Sequence, residues 1–448
     1  MDKTKLKEFI DSIDFAAAGD QMYQLVSELY PICRSITGNG VRETLGKIKS
    51  IIPLEVKEVA SGTRVFDWKV PKEWNIQDAW VKNQKGDKII NFKQSNLHVL
   101  NYSVPIRKTV DLNELKAHLY TLPDKPEWVP YRTSYYQENW GFCMSHNQFA
   151  ELKDGAYEVC IDSSLTDGAL TFGEFFIKGT NSDEVLISTH ICHPSLCNDN
   201  LSGIALAAIL GHYLSKVSLY YSYRFLFIPG TIGSITWLSL NKERASKIKH
   251  GLVMACVGDA GHFTYKKTRR GNAEIDRVVA YSLKTSAKAL KIVDFFPYGY
   301  DERQYCSPGF NLPVGCLMRT PHGQYPEYHT SADNLEFVKP ENLARSLAVY
   351  ADVLNIVEEN KKYINQNPMC EPQLGKRGLY QHIGGHSDSE EFRLALLWTL
   401  NLSDGQNSLL DISERSGLDF SLISEAADIL VDKDLLKEHE TKTGIKEI

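Results

Sequence analysis

Four short apolar runs in residues 174–356 constrain the fold of this chain more than any other feature. The runs read VLISTH, YRFLFIP, GLVMACVGD and VGCLMRT. Near-continuous hydrophobic segments are typical of parallel strands covered on both faces. Between the first two runs lies LSGIALAAILGHYLSKV, which has the apolar character of a helix buried against such a sheet. The alternation of strand and helix predicts a doubly wound α/β core.

The regions around this core have different patterns. Two helical patterns open the chain, from about Leu6 to Leu29 and from Val41 to Ile51. Residues 56–173 contain short β-rich runs broken by Pro, Gly and Asn, which predict an inserted β-rich domain. The core is therefore expected in residues 1–55 and 174–365. Three short helical patterns, with a turn at Gly417 between the second and third, predict a winged helix-turn-helix in residues 385–448.

Composition excludes several classes of protein. The chain has 448 residues, 43% hydrophobic and 24% charged, with a net charge of −6 and both signs scattered. Scattered charges of both signs do not produce the positive electrostatic field that would attract nucleic acid or an anionic membrane. No apolar run is long enough to span a bilayer. The nine cysteines form no repeating framework, and the charged N-terminal segment does not resemble a signal peptide. We expect a cytoplasmic protein without membrane partners.

Four residues with metal-binding side chains fall near the predicted strand ends. His190 ends the first run, Asp199 precedes the buried helix, Asp259 ends the third run and His329 follows the last. In an open α/β sheet the carboxyl ends of the strands meet at one crevice, so these residues are expected to converge there. Imidazole and carboxylate together favour zinc, with Asp199 able to bridge two ions. The sequence predicts a site for one or two zinc ions.

The segment THICHPSLCNDNLSGIALAA resembles zinc aminopeptidases of the bacterial leucyl aminopeptidase and aminopeptidase Y type. The resemblance implies a zinc-exopeptidase-like core in which His190 binds one metal and Asp199 is the bridge. It also implies that Asp259 completes the first site and that His329 belongs to the second. The whole layout is similar to that of bacterial aminopeptidase-like proteins with an inserted β domain and a C-terminal winged helix. The implied activity is hydrolysis of an N-terminal peptide bond or a related amide.

The chain departs from that family at two places. The family has a Glu-Glu pair, general base and metal ligand, after the second strand, where this chain has Gly230 and Thr231. The family also has an aspartate two residues after the first histidine, where this chain has Cys192. His193 and Cys197 are alternative members of the metal shell, although a buried free thiol is the simpler interpretation of each cysteine.

The loop GYDERQYCSPG contains candidate replacements for the missing base. Asp301 and Glu302 are candidate catalytic bases, and we expect Glu302 to be the better one because its side chain is longer. Glu327 is a third candidate. Arg303 and Tyr305 are candidates to bind a substrate carboxylate or an oxyanion. If nothing replaces the pair, the chain is instead a weakly active or non-catalytic metal-binding module.

Two further segments leave alternatives open. The aromatic stretch YRTSYYQENWGF lines a substrate cleft or belongs to the core of the inserted domain. From Asp404 to the end, acidic residues are more than twice as frequent as basic ones, which is the opposite of a DNA-binding surface. The expected partner is a peptide or small amide substrate and not a nucleic acid, with homo-oligomerisation left open.

Overall fold

The computed structural model describes residues 6–286, 290–379 and 389–439. The chain divides into two compact units, Met1–Ala351 and Asp352–Ile448. In the described ranges, none of the helices combines the length and the apolar character needed to span a bilayer.

The chain opens with three helices instead of the two predicted. They are α1 (Leu6–Asp11), α2 (Phe15–Leu29) and α3 (Asn39–Lys49), followed by strand β1 (Glu55–Ala60). The first predicted helix is divided at Asp14, whose carboxylate accepts a hydrogen bond from the backbone N–H of Ala17 at 3.0 Å. This contact caps the start of α2, and a new helix therefore begins there.

The β-rich segment contains eight strands, two short α-helices and one 3-10 helix, Asn96–His98. The strands and α-helices are β2 (Arg64–Val65), β3 (Trp68–Lys69), β4 (Glu73–Lys82), β5 (Lys88–Asn91), β6 (Ile106–Asp111), α4 (Leu112–Ala117), β7 (Leu119–Tyr120), β8 (Phe142–Cys143), α5 (His146–Ala150) and β9 (Ala156–Thr166). Four of the strands form an antiparallel sheet in the order β5-β4-β9-β6. The segment lies in the same compact unit as the α/β core.

The core consists of strands that alternate with helices. They are β10 (Ala169–Ile177), β11 (Glu184–His190), α6 (Ser202–Leu214), β12 (Ser222–Ile228), α7 (Ile232–Leu240), α8 (Lys242–Ala245), β13 (Ile248–Met254), β14 (Phe263–Lys266), α9 (Glu274–Ser286), β15 (Leu290–Val293), α10 (Glu302–Tyr305), β16 (Val314–Met318) and α11 (Pro340–Glu359). The sheet has eight strands in the order β1-β10-β12-β11-β13-β16-β14-β15. Its central strands β12, β11, β13 and β16 are parallel, which confirms the predicted α/β core.

The edge of this sheet includes chain that the sequence assigned to the insertion. Strands β1 and β10 pair antiparallel from Glu55↔Glu174 to Ala60↔Ala169, and β10 also pairs with β12. Most of β1 and half of β10 fall inside residues 56–173, yet both belong to the core sheet. Their backbone hydrogen bonds therefore place the boundaries of the insertion nearer residues 61 and 168.

The second unit has the winged-helix arrangement. Its elements are β17 (Lys362–Asn365), α12 (Ser389–Leu402), β18 (Asp404–Ser408), α13 (Leu409–Ser416), α14 (Phe420–Asp432) and β19 (Leu436–Glu438). The strands form a sheet in the order β18-β17-β19. Residues 362–365, expected in the core, belong here because β17 pairs with both other strands. Gly417 ends α13 with φ +72°, a conformation that favours glycine.

Candidate metal centre and active site

The centre of the site is the carboxylate of Asp199, at the turn before α6. Its Oδ1 lies 2.8 Å from His190 Nε2, and its Oδ2 lies 2.9 Å from His329 Nε2. His193 Nε2 is 3.9 Å from the same Oδ2. One carboxylate is thus shared by three imidazoles, at the carboxyl ends of parallel strands, where the sequence predicted convergence.

Aromatic rings hold these imidazoles in place. The Tyr300 ring stacks on His190 with centroids 3.6 Å apart, and Tyr328 stacks on His329 at 4.0 Å. Tyr131 presents its ring edge to both His193 and His329, at 5.2 and 5.0 Å. Tyr131 comes from the aromatic segment predicted to line either a cleft or a core. Tyr131 is buried, as a core residue would be, and it also contacts the imidazoles, as a residue lining the site would.

The backbone of the Asp199 turn is held by Asp333. The Asp333 carboxylate accepts hydrogen bonds from the backbone N–H groups of Asn198 and Asp199, at 2.6 and 3.0 Å. Burial raises the pKa of Asp333 to about 7, although these hydrogen bonds oppose the shift. Asp333 follows His329 by four residues, so one short loop supplies both an imidazole and the support for the shared carboxylate.

The ionisation of the cluster suits a divalent cation. Burial alone would raise the pKa of Asp199, but the neighbouring His193, His190 and His329 hold it well below its usual range. Burial also holds the pKa of His193 well below that of a free imidazole. Neutral imidazole and ionised carboxylate are the forms in which these side chains bind zinc. Among the described residues, His190, His193 and Asp199 place one ligand atom each within 4.8 Å of one another.

Asp259, predicted as a ligand, is not part of this cluster. Its carboxylate accepts hydrogen bonds from Asn198 Nδ2 at 3.0 Å, from the Gly261 N–H at 2.6 Å and from Thr320 Oγ1 at 2.7 Å. Strand β13 ends at Met254, five residues before Asp259, so the residue at the strand edge is Cys256. The Asp259 carboxylate therefore supports Asn198, the residue that precedes Asp199.

Cys256 and His322 are residues that the sequence reasoning missed. One ligand atom each from Asp199, Cys256 and His322 lie within 4.8 Å of one another. A signal existed: Cys256 lies within the apolar run GLVMACVGD, and His322 follows the last strand of the sequence pattern by four residues. His193 belongs to the cluster with His190 and Asp199. Cys197 belongs neither to that cluster nor to the one with Cys256, among the described residues.

Tyr300 occupies the space beside Gly230, one of the two positions of the missing Glu pair. A Cβ atom built on Gly230 would overlap the Tyr300 hydroxyl and ring. The backbone N–H of Gly230 contacts Cys192 Sγ at 3.3 Å, and this thiol lies 3.4 Å from the Tyr300 hydroxyl. Burial raises the pKa of Cys192 to about 12, so its side chain is a protonated thiol near neutral pH.

The two loop acids have different surroundings. Glu302 receives a hydrogen bond from Lys266 Nζ at 2.6 Å and two from the backbone N–H of Tyr300 at 3.1 and 3.2 Å. Asp301 Oδ1 accepts from the Thr231 N–H and from Ser234 Oγ, at 2.6 and 2.8 Å. Asp301 Oδ2 is buried and has no hydrogen-bond partner among the described residues. Burial raises the pKa of Asp301 to about 6.

The two predicted substrate-binding residues have different environments. Tyr305 is fully buried, and its hydroxyl is 2.9 Å from Ser188 Oγ inside the core. Arg303 is half-buried, and its Nε has no hydrogen-bond partner among the described residues. Tyr305 is therefore inaccessible to a substrate, which is a correction to the role predicted from its position in the loop.

Comparisons with known proteins agree with this architecture. A family model described as "Domain of unknown function (DUF4910)" matches residues 23–360, and a winged helix-turn-helix model matches residues 361–438. A Clostridium acetobutylicum protein is 56% identical over 419 residues, covering 94% of this chain and 96% of the relative. That relative is provisionally named a polysaccharide biosynthesis protein with an aminopeptidase-like domain.

Solved structures support the same fold. A crystal structure of a Clostridium acetobutylicum protein, provisionally named a peptidase, has a TM-score of 0.91 and 53% identity, covering 97% of this chain and 99% of that one. A zinc aminopeptidase from Bacillus subtilis has a TM-score of 0.55 at 14% identity, covering 75% and 94%. A peptidase M28 precursor from Shewanella amazonensis has a TM-score of 0.54 at 13% identity, covering 79% and 96%. The first unit thus has the fold of zinc aminopeptidases.

Proposed function

Since this chain belongs to the DUF4910 family and has an aminopeptidase-like fold, we propose that it is a metal-dependent hydrolase of an amide bond, acting on a peptide terminus or a related amide. The observation that carries this proposal is the shared carboxylate of Asp199, with one oxygen facing His190 and the other facing His329. A fully buried carboxylate shared between a buried imidazole, His190, and a half-buried one, His329, is difficult to explain as core structure alone.

The residues that would hold the ion are His190, His193, Asp199 and His329. When bound, a divalent ion such as zinc supplies Lewis-acid polarisation of a carbonyl oxygen and acidifies a water molecule. The stacked rings of Tyr300 and Tyr328 fix the orientation of two of the imidazoles. Such fixed orientation is what a catalytic constellation requires of its supporting residues.

Asp301 is the base that the contacts favour. Its Oδ2 is free of hydrogen bonds from the described residues, whereas the contacts of Glu302 with Lys266 and the Tyr300 backbone hold that carboxylate in an ion pair. A pKa of about 6 would let Asp301 accept a proton near neutral pH. The preference for Glu302 that the sequence suggested is therefore replaced by one for Asp301.

A second function follows from the missing Glu pair. Because Tyr300 fills the space beside Gly230, a carboxylate cannot occupy the family's usual position of the base. The alternative is a chain that binds a metal and an amide-containing ligand without turning it over. Both functions use the same metal site, and they differ only in whether the bound amide is hydrolysed.

Activity assays on the purified full chain separate the two. The screen uses aminoacyl amides, short peptides and N-acylated amino sugars, the last because a relative is named for polysaccharide biosynthesis. We expect hydrolysis that is lost with a chelator and restored by zinc. Metal binding without hydrolysis of any class would favour the non-catalytic function, and hydrolysis that survives removal of the metal would contradict the first.

A further inference from the structure

We propose that Asp199, Cys256 and His322 form a second metal site, in which a thiolate replaces the carboxylate ligand missing from this chain. The proposal rests on the proposed function, because Asp199 is shared with the first site. One ligand atom from each residue lies within 4.8 Å of the other two. The sulfur of Cys256 is 3.5 Å from His322 Nδ1.

The topology explains why these residues meet. Cys256 follows β13 by two residues, and His322 follows β16 by four. The two strands are parallel neighbours, paired from Gly251↔Val314 to Met254↔Leu317. Their carboxyl ends therefore deliver the thiol and the imidazole to the same edge that carries Asp199.

One ring nitrogen of His322, the buried Nε2, has no hydrogen-bond partner among the described residues. The other ring nitrogen, Nδ1, contacts the Cys256 thiol at 3.5 Å. Buried polar side-chain atoms are nearly always paired, so the unpaired Nε2 indicates that the ring lacks a partner. Tyr300 and Tyr328 flank the ring, with centroids 5.7 and 6.2 Å away.

The backbone of Cys256 is held in an uncommon conformation. Its φ is +51°, in the left-handed region that non-glycine residues rarely adopt. Two hydrogen bonds keep it there: its N–H donates to Asn200 Oδ1 at 3.3 Å, and its carbonyl accepts from the Arg319 N–H at 2.9 Å. Strain of this kind persists where surrounding contacts over-determine it, and it clusters at ligand sites.

The donor set indicates which ions fit. A thiolate with an imidazole and a carboxylate is a set that zinc and cobalt accept, whereas magnesium and manganese prefer oxygen ligands. Three protein ligands leave a coordination position open, as in catalytic zinc sites. On binding, the thiol proton of Cys256 passes to solvent and the sulfur becomes an anionic ligand.

The test is a cobalt titration of the metal-free full chain, followed by elemental analysis and by the sulfur-to-cobalt charge-transfer absorption. We expect two ions per chain, with the charge-transfer band. Cys256→Ser should remove the band and one ion, and His322→Ala should do the same. The matched control is Cys316→Ala, since Cys316 is equally buried but absent from the cluster; it should keep both ions.

The outcomes distinguish this site from the first one. One bound cobalt without the band would overturn the thiolate site and leave the Asp199 site standing, whereas no bound cobalt would overturn both. A band that survives in Cys256→Ser would also overturn the proposal. If that variant does not fold, X-ray absorption of the native cobalt form decides: a cobalt–sulfur distance of about 2.3 Å supports the site, and oxygen and nitrogen neighbours alone exclude it.

Discussion

The ring of Tyr300 lies in the space that a side chain on Gly230 would need, so these two residues exclude the family's usual general base. A Cβ at Gly230 would overlap the Tyr300 hydroxyl, and the ring is also stacked on His190 at 3.6 Å. The loss of the carboxylate and the presence of the tyrosine are thus one structural feature.

Restoring the base therefore requires two changes. Gly230→Glu alone should destabilise the protein by about 1–3 kcal/mol through overpacking and should not raise activity. Gly230→Glu combined with Tyr300→Gly should recover much of that stability, while Tyr300→Phe, the control, should behave like the native chain. Thermal unfolding and amide hydrolysis measure both effects. A single Gly230→Glu variant as stable as the native protein would show that the ring moves freely.

The choice between the two loop acids is testable by kinetics. Asp301→Asn should lower kcat/KM by about a hundredfold or more, because it removes the proton acceptor. In the native chain, kcat/KM should fall as the pH drops through about 6, where Asp301 becomes protonated, and a bound cation would shift this fall to lower pH. Glu302→Gln should keep that pH dependence while weakening the contact with Lys266. If the fall of kcat/KM at low pH disappears in Glu302→Gln and persists in Asp301→Asn, Glu302 and not Asp301 is the base.

A buried ion network joins three strands of the core sheet. Arg224 on β12 pairs with Glu184 on β11 at 2.7 Å and also with Glu174 on β10. Arg224→Ala leaves the buried Glu184 without this arginine. Glu174 loses one of its cationic partners and keeps Lys57 at 2.7 Å. We expect a loss of about 3–5 kcal/mol in the free energy of unfolding. Urea denaturation measures it. Arg244→Ala is the control, because the Arg244 side chain is 46% exposed and lies 3.8 Å from Glu174. An equal loss in that variant would contradict the prediction.

Acid should weaken the contact between α3 and the inserted sheet. Arg42 makes two hydrogen bonds to Glu73, at 2.7 and 2.8 Å, which lower the pKa of Glu73 to about 2 although its burial opposes this. A depressed carboxyl pKa stabilises the fold above the unfolded value, near 4.5, and this stabilisation is lost as the pH falls toward 2.

Glu73→Gln should therefore cost about 1 kcal/mol at neutral pH, the scale of a partly exposed ion pair, and less as the pH approaches 2. Thermal unfolding at a series of pH values measures the difference from the native chain. Glu138→Gln, whose partner Lys72 is 3.4 Å away on the exposed surface, should show no such dependence. A constant deficit for Glu73→Gln across the series would exclude the proposed linkage.

The fold was more predictable than the site. Apolar runs covered on both faces predict parallel strands directly, and the structure confirms the doubly wound core and the winged helix. The site depends on where each strand stops. GLVMACVGD reads as one run to Asp259, but β13 ends at Met254, which places Cys256 at the edge. Tyr300 could not be predicted, because its contact with Gly230 joins loops 70 residues apart.

The central claim is that Asp199 holds a metal ion, and elemental analysis of zinc in purified, zinc-loaded protein tests it most directly. We predict at least one zinc per native chain, none in Asp199→Ala, and retention in Asp259→Asn, since the Asp259 carboxylate contacts Asn198, Gly261 and Thr320 and not the imidazoles. Circular dichroism shows whether each variant is folded. A folded Asp199→Ala protein with the same zinc content as the native chain would contradict the account.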